Sequence, residues 1–425
     1  MKDYLKRLPR EILDLIYKAG DLASSGKLNV YLVGGFVRDL LLGLANLDLD
    51  IVVEGDGIKF AEGLAARLKA KLIRHRRFGT ATVVLTSQLK IDIASARKES
   101  YPHPAHLPQV SPGSLKDDLF RRDFTINAMA LGIREENFAR LIDFFHGQED
   151  LKNGEIRFMH DRSFLDDPTR ILRAIRFEQR YSFKIEPRTL RCLKQAVSLN
   201  MLQEVQPQRL RDDLILVLKE EHPLREIRRL KSLAGFSFIS PRLSVNKTTF
   251  GLLNSIEKQI KWFRKVHFQR RVLDTWLIYF LGLADSIPLS EIKRICRRFA
   301  FRKGEEKRMM SCKKISHFQL KRLKEKGAKP SRIFALLEPL SYEVILFLKS
   351  KYKSSLLQKH IEEFLREYNP MRIQVSGEDL RQWGVRPGPV YQKIFARILN
   401  ARLNGLVRTK EEELKLVKKL IQRII

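Results

Sequence analysis

The stretch Leu32-Val33-Gly34-Gly35-Phe36-Val37-Arg38-Asp39, followed after a short gap by Asp48-Leu49-Asp50, decides how this chain reads. An apolar, β-branched run, Asn29–Val33, enters paired glycines, and a helical pattern opens directly behind them. Such a turn lets backbone N–H groups approach a phosphate closely, aided by the helix N-terminus. Taken alone, the glycine pair reads equally as a tight strand-to-helix turn. Asp48 and Asp50 stand in a second apolar run, Leu47–Val53, expected to be a strand. Side chains alternate along a strand, so both carboxylates point the same way. Adjacent carboxylates repel unless a cation lies between them, and hard oxygen donors suit Mg²⁺. An exposed polar strand face is the plain alternative.

A third carboxylate, Asp92 in Lys90-Ile91-Asp92-Ile93-Ala94, again interrupts a β-branched run and can sit on a neighbouring strand. Three carboxylates at one sheet edge can hold two Mg²⁺ ions, the geometry of in-line phosphoryl transfer. A further run, Ala81–Leu85, and an amphipathic helix over 58–70, with Phe60, Leu64 and Leu68 on one face, complete a small mixed-sheet head. From about residue 162 the pattern turns helical almost throughout. Leu165-Asp166-Asp167-Pro168 is expected to open a long helix, with Asp167 capping free N–H groups and Pro168 in the first turn.

Composition narrows the partners. The 425 residues are too many for one ordinary core, and the net charge of +32 attracts polyanions such as nucleic acid or an anionic surface. No segment approaches the ~20 apolar residues of a membrane span, and residues 1–7 lack a signal-peptide core. Three widely spaced cysteines, Cys192, Cys296 and Cys312, fit a reducing cytoplasm better than a disulfide framework or a zinc site.

The ordered motifs LVGGFVRDLLLG with DLD, RRDFTINAMA (Arg121–Ala130), DDPTRILRAIRF (Asp166–Phe177) and QRLRDDL (Gln208–Leu214) resemble a known family. It comprises the class II tRNA nucleotidyltransferases and bacterial poly(A) polymerases, within the polymerase β superfamily. The resemblance implies an α+β fold: a nucleotidyltransferase head (1–145), then an all-helical neck (146–220), body (221–345) and tail (346–425). It makes Asp48 and Asp50 the metal ligands and Asp92 the third catalytic acid, where the family often has Glu. Gly34 and Gly35 would border the triphosphate, and Arg38 would sit beside it or pair within the head.

By the same resemblance, Arg122, Asp123 and Asn127 match a motif for ribose recognition; a buried network supporting the sheet is the alternative. Asp167 and Arg170 match a pair that reads the incoming base, with Asp166 at the family's usual Glu position. Positions three apart share a helix face, and Arg donors with Asp acceptors can satisfy a base edge. An intrahelical ion pair is the plainer reading. Arg173 and Arg176 continue that helix as ties or phosphate contacts, and Arg209 and Asp213, four apart, read as supports or as a pair with one another.

The stretch 293–332 is densely basic, and Arg297, Arg298, Arg302, Lys313 and Lys314 are its candidate RNA contacts. Phe299, Phe301 and Phe318 are interleaved there, as core or as stacking platforms. The Pro-rich segment 97–115, with His103 and His106, lies where the family has a mobile loop, and its wording ARKESYPHPAHLP looks like that of longer members, which include A-adding types. His160-Asp161 resembles an HD dipeptide but lacks partner ligands. The reading is therefore an Mg²⁺-dependent transferase adding CCA, its terminal A, or CC to tRNA from CTP and ATP, with no membrane partner. A poly(A) polymerase is the alternative enzyme, and a non-catalytic tRNA-binding protein is the alternative of another class.

Overall fold

A computed structural model describes residues 2–45, 48–86, 89–266 and 272–422. The chain forms two compact units, one of residues 1–220 with 225–235 and the other of 221–224 with 236–425. The first takes in residues 225–235 of the expected body along with the expected head and neck, and the second holds the rest of the expected body and the tail. The expected cut between body and tail falls inside the helix Tyr342–Lys351.

The first unit is built on strands β1 (Asn29–Val33), β2 (Leu49–Glu54), β3 (Lys71–His75), β4 (Thr80–Val84), β5 (Lys90–Ser95), β6 (Arg97–Ser100), β7 (Gln109–Pro112), β8 (Ala130–Gly132) and β9 (Leu141–Ile142). Seven of them form one sheet in the order β3-β4-β5-β2-β1-β8-β9. β2 and β5 run parallel, with Asp50 opposite Asp92 and Ile51 opposite Ile93. β4 continues that row antiparallel, placing Thr82 opposite Asp92 and Thr80 opposite Ala94. Alternation then sends Ile51, Ile93 and Val83 to the other face, where each is at most 2% exposed. There the helix Gly57–Leu68 brings the buried Phe60, Ala61 and Leu64 against them. Burying each such side chain contributes roughly 1.5–3 kcal/mol, so the apolar residues fix which way the carboxylates point.

Sequence and structure differ at three places. The second strand starts at Leu49, so Asp48 immediately precedes it, and Leu47 lies outside the described residues. The segment 97–115, expected as a loop, contains a hairpin in which β6 pairs β7 from Arg97–Pro112 to Ser100–Gln109. Its strands, Arg97-Lys98-Glu99-Ser100 and Gln109-Val110-Ser111-Pro112, carry no apolar stripe, which is why the segment reads as a loop. The long helix opens at Arg170 rather than at Pro168. A short turn, Ser163–Asp166, precedes it, and Asp167 has extended backbone. The Asp167 carboxylate does not cap the helix itself; it closes the turn before it, accepting from the Thr169 N–H at 3.1 Å and the Thr169 hydroxyl at 2.7 Å.

The second unit is helical. The helices Lys247–Lys265, Thr275–Leu283 and Tyr342–Lys351 pack together around Leu253, Ile256, Leu277 and Ile345. A smaller core of Val375, Leu380, Ile394, Ile398 and Val417 gathers the C-terminal helices. Arg297, Arg298, Arg302 and Lys314 are exposed. Lys313 turns inward, donating to the carbonyls of Ala284 at 2.9 Å and Asp285 at 2.7 Å, so its ammonium ends a helix instead of facing solvent. Phe299 and Phe301 are core residues, whereas Phe318 is 59% exposed with the Arg322 guanidinium 4.0 Å from its ring centroid.

Candidate active site

Gly34 ends β1 with φ 70° and ψ −135°, a conformation closed to residues with a Cβ. A Cβ there would meet Arg122 Nη1 at 2.5 Å and lie 3.8 Å from Asp50 Oδ2. The helix Gly35–Leu42 starts at once, so the turn presents its first N–H groups to the space in front of Asp50. That space is a cavity of about 770 Å³, lined by Gly34, Gly35, Asp48, Asp50, Arg122, Asp123, Asn127, Asp167, Arg170 and Arg173 among others. Arg38, Arg176 and Arg209 also border it. The candidate nucleotide residues of the sequence thus line one cavity, while Asp92 lines an adjoining one shared with Asp50 and Arg122.

The carboxylates bear on one another electrostatically. Burial pushes Asp50 up to about 6, Arg122 opposes this, and the charges of Asp92 and Asp48 add to the rise. A divalent cation would relieve that repulsion, and the donor set of aspartates suits a hard ion. Among the described residues no three His, Cys, Asp or Glu side chains are gathered as a ready ion cage. The reason is visible at Asp92, whose oxygens are taken by Thr82 Oγ1 at 2.6 Å and Lys90 Nζ at 2.8 Å.

A polar chain joins the helix Gly35–Leu42 to the helix Arg170–Tyr181. Arg38 sits 2.8 Å from Asp39 and donates to Asn127 Oδ1 at 2.5 Å. Asn127 donates to Asp123 at 2.9 Å, and Asp123 is met by Arg173 at 2.6 Å. Burial alone would raise Asp123, but Arg173 and the Asn127 amide hold it down to about 2. Arg173 also reaches Asp213 at 3.6 Å, and burial raises Asp213 to about 6 against the pull of Arg173. The ribose-motif residues therefore form the buried network of the alternative reading and border the cavity as well.

The candidate base-reading pair is already engaged. Asp167 accepts from Arg209 at 2.8 Å, so Arg209 and Asp213 pair outward rather than with each other. Arg170 is buried, donating to Ser163 Oγ and to the Arg121 carbonyl at 2.8 Å. Arg176 pairs with Glu220 at 2.6 Å. The sequence reading missed Glu99 and Tyr101, which line the same cavity from the hairpin. Glu99 collects Arg97 at 2.7 Å, Tyr101 at 3.1 Å and Arg121 at 3.4 Å. The one signal available was an acid directly after two basic residues in Arg97-Lys98-Glu99. His160 lies 4.0 Å from Asp166 and stacks on Phe120, while His103 and His106 meet edge to face.

Residues 30–157 match the family model described as the poly A polymerase head domain. Over 420 residues, 98% of this chain, there is 37% identity to an A-adding tRNA nucleotidyltransferase of Geobacter sulfurreducens; the chain spans about half (48%) of that relative's length. A solved CCA-adding enzyme of Thermotoga maritima, complexed with tRNA, is 34% identical with a TM-score of 0.70, covering 99% of this chain and 98% of that one. An A-adding tRNA nucleotidyltransferase of Halalkalibacterium halodurans is 32% identical over 96% of this chain and 92% of its own length. A match spanning nearly all of that protein, with the motif residues brought to one cavity, places this chain in the tRNA nucleotidyltransferase family.

Proposed function

We propose that this protein transfers nucleotides from ATP or CTP to the 3′ end of tRNA without a nucleic-acid template. The observation that carries the reading is the single cavity that holds the Gly34 turn, the Asp48 and Asp50 carboxylates, and the Asp167 and Arg170 side chains. Phosphate, ribose and base each have suitable partners there. Terminal A addition is the reading favoured within the family, because the Geobacter and Halalkalibacterium relatives both carry that name.

In this mechanism the first N–H groups of the helix behind the Gly34 turn, from Gly35 on, and the Arg122 guanidinium hold the triphosphate. Asp48, Asp50 and Asp92 would hold Mg²⁺. When bound, Mg²⁺ supplies Lewis acidity that favours the ionised hydroxyl and offsets phosphate charge. The RNA 3′ oxygen forms a bond to the α-phosphorus, the bond to the bridging oxygen breaks, pyrophosphate leaves, and the hydroxyl proton passes to solvent. Asp123 and Asn127 orient the ribose, while Asp167 accepts from and Arg170 donates to the base edge. The exposed Arg297, Arg298, Arg302 and Lys314 track RNA phosphates, a role that the inward-turned Lys313 does not share. Three cysteines without a disulfide partner fit work in the cytoplasm.

The test is extension of three tRNAs, ending at the discriminator base, at C and at CC, with labelled CTP, ATP or both. Addition of A to the CC-ended tRNA alone supports an A-adding enzyme, and CCA then a stop supports the complete one. Long A tails on unrelated RNA would make it a poly(A) polymerase. No addition to any RNA would leave only a binding protein.

A further inference from the structure

The catalytic row of the sheet has two sides. On one side Asp50 faces the nucleotide cavity together with Gly34 and Asp48. On the other, Asp50 and Arg122 form the near wall of a second cavity of about 420 Å³, which runs out over β5 and β4 past Asp92, Thr82 and Thr80 to His75 on the edge strand β3. In-line displacement puts the attacking oxygen opposite the leaving group. With triphosphate in the first cavity, the attacking hydroxyl must therefore arrive from the second.

The second cavity has the character of a single-strand RNA seat. Its floor is a strand surface carrying two hydroxyls, Thr80 and Thr82, with the imidazole of His75 at its outer end. At its rim the turn Arg76–Phe78 joins β3 to β4. Phe78 is 61% exposed, so it serves no core, and the Arg77 guanidinium lies 5.8 Å from its ring centroid. Arg76 and Arg77 have no carboxylate partner among the described residues. Two free cations beside an exposed ring are the pairing that binds phosphate and stacks a base. Neighbouring Arg74, by contrast, is paired to Glu62 at 2.7 Å.

We propose that the open half of this sheet face seats the last nucleotides of the RNA 3′ end, with Phe78 stacking one base and Arg76 and Arg77 gripping its phosphates. His75 then positions the strand so that its terminal hydroxyl arrives beside Asp50 and Asp92. The assignment rests on the RNA-extending reading above for the nature of its occupant.

An RNA hairpin with a single-stranded 3′ end, carrying 4-thiouridine next to its last nucleotide, is irradiated with the full chain and the cross-link mapped by mass spectrometry. A cross-link within residues 75–82 is expected. In steady-state extension, Phe78→Ala and the double variant Arg76→Ala/Arg77→Ala should raise KM for RNA about tenfold, with KM for ATP and the melting temperature unchanged. The double variant should also lower the salt dependence of RNA binding by one to two charges, at ~0.7 per phosphate. Cross-links confined to other segments, or variants with unaltered KM for RNA and unaltered salt dependence, overturn the assignment. Cross-linking needs no transfer, so it judges the seat even if no nucleotide is added. Extension of the same RNA by the unmodified protein separately judges the reading on which the seat rests.

Discussion

The Arg209 guanidinium holds the Asp167 carboxylate at 2.8 Å, so a side chain of the helix Pro207–Lys219 sets the direction of the proposed base acceptor. Arg209→Ala leaves Asp167 with only Thr169 as a side-chain partner. Losing one charge-assisted hydrogen bond is worth about 1.5–3 kcal/mol, or roughly 10- to 100-fold. The expected result is that fall in the preference for the correct over the incorrect nucleotide, measured as a ratio of kcat/KM values. Asp167→Ala should erase the preference altogether, and an unchanged ratio in both variants would refute the role.

Arg173, one-third exposed on the helix Arg170–Tyr181, meets the buried Asp123. Removing Arg173 strands the buried Asp123 charge, at a cost of up to about 3–5 kcal/mol, and removing Asp123 costs less because Arg173 keeps Asp213 and some solvent. Arg173→Met is expected to lower stability to urea by that order, and Asp123→Asn by less. The double variant should lose clearly less than the sum, because neither charge is then left alone. Additive losses would show that the two side chains do not act together.

Gly34→Ala introduces a Cβ at 2.5 Å from Arg122 Nη1 in a backbone conformation reserved for glycine. The strain is of order 1–3 kcal/mol. Relief requires displacing Arg122, so ATP binding measured by calorimetry should weaken at least ~10-fold while circular dichroism stays the same. Retained binding would remove Gly34 from the phosphate site.

Glu226, 2% exposed on the helix Pro223–Leu233, has one carboxylate oxygen without a hydrogen-bond partner. Burial, with the Glu220 charge adding, raises it from 4.5 to about 7. A raised pKa means the folded state holds the proton more tightly. Its stabilisation is complete below about 4.5 and is lost as pH rises through about 7. Glu226→Gln stays neutral, so at pH 8 its melting temperature should exceed that of the unmodified protein by ~3 °C or more. At pH 5 the two should nearly coincide. A gain of equal size at both pH values would contradict this account.

Much of the head was legible because its residues obey a period. Asn29–Val33 and Lys90–Ala94 were readable as strands from β-branched alternation, and both recur in the structure to within a residue. The Gly34–Gly35 turn was readable because a strand pattern stopped where a helix pattern began. The partners were not readable. Nothing in the order of residues announces that Arg209 meets Asp167 or that Arg173 meets Asp123, since these contacts cross 42 and 50 positions. Tyr101 and Glu99 were hidden for another reason. The inner face of that hairpin strand carries Arg97 and Glu99 and the outer face is exposed, so no apolar alternation marks it.

The facing of Asp50 and Asp92 across two parallel strands has a consequence for how this protein can change over generations. Each acid is flanked by residues sealed on the far side of the sheet, Leu49 and Ile51 for one, Ile91 and Ile93 for the other. Inserting one residue into either strand would swap the acid with its oily neighbours, and a carboxylate would be driven into the core. Damage to the chemistry would thus arrive as damage to folding, and a misaligned mutant would be removed by unfolding before it could act as a poor enzyme. The acids are policed by the hydrocarbons beside them.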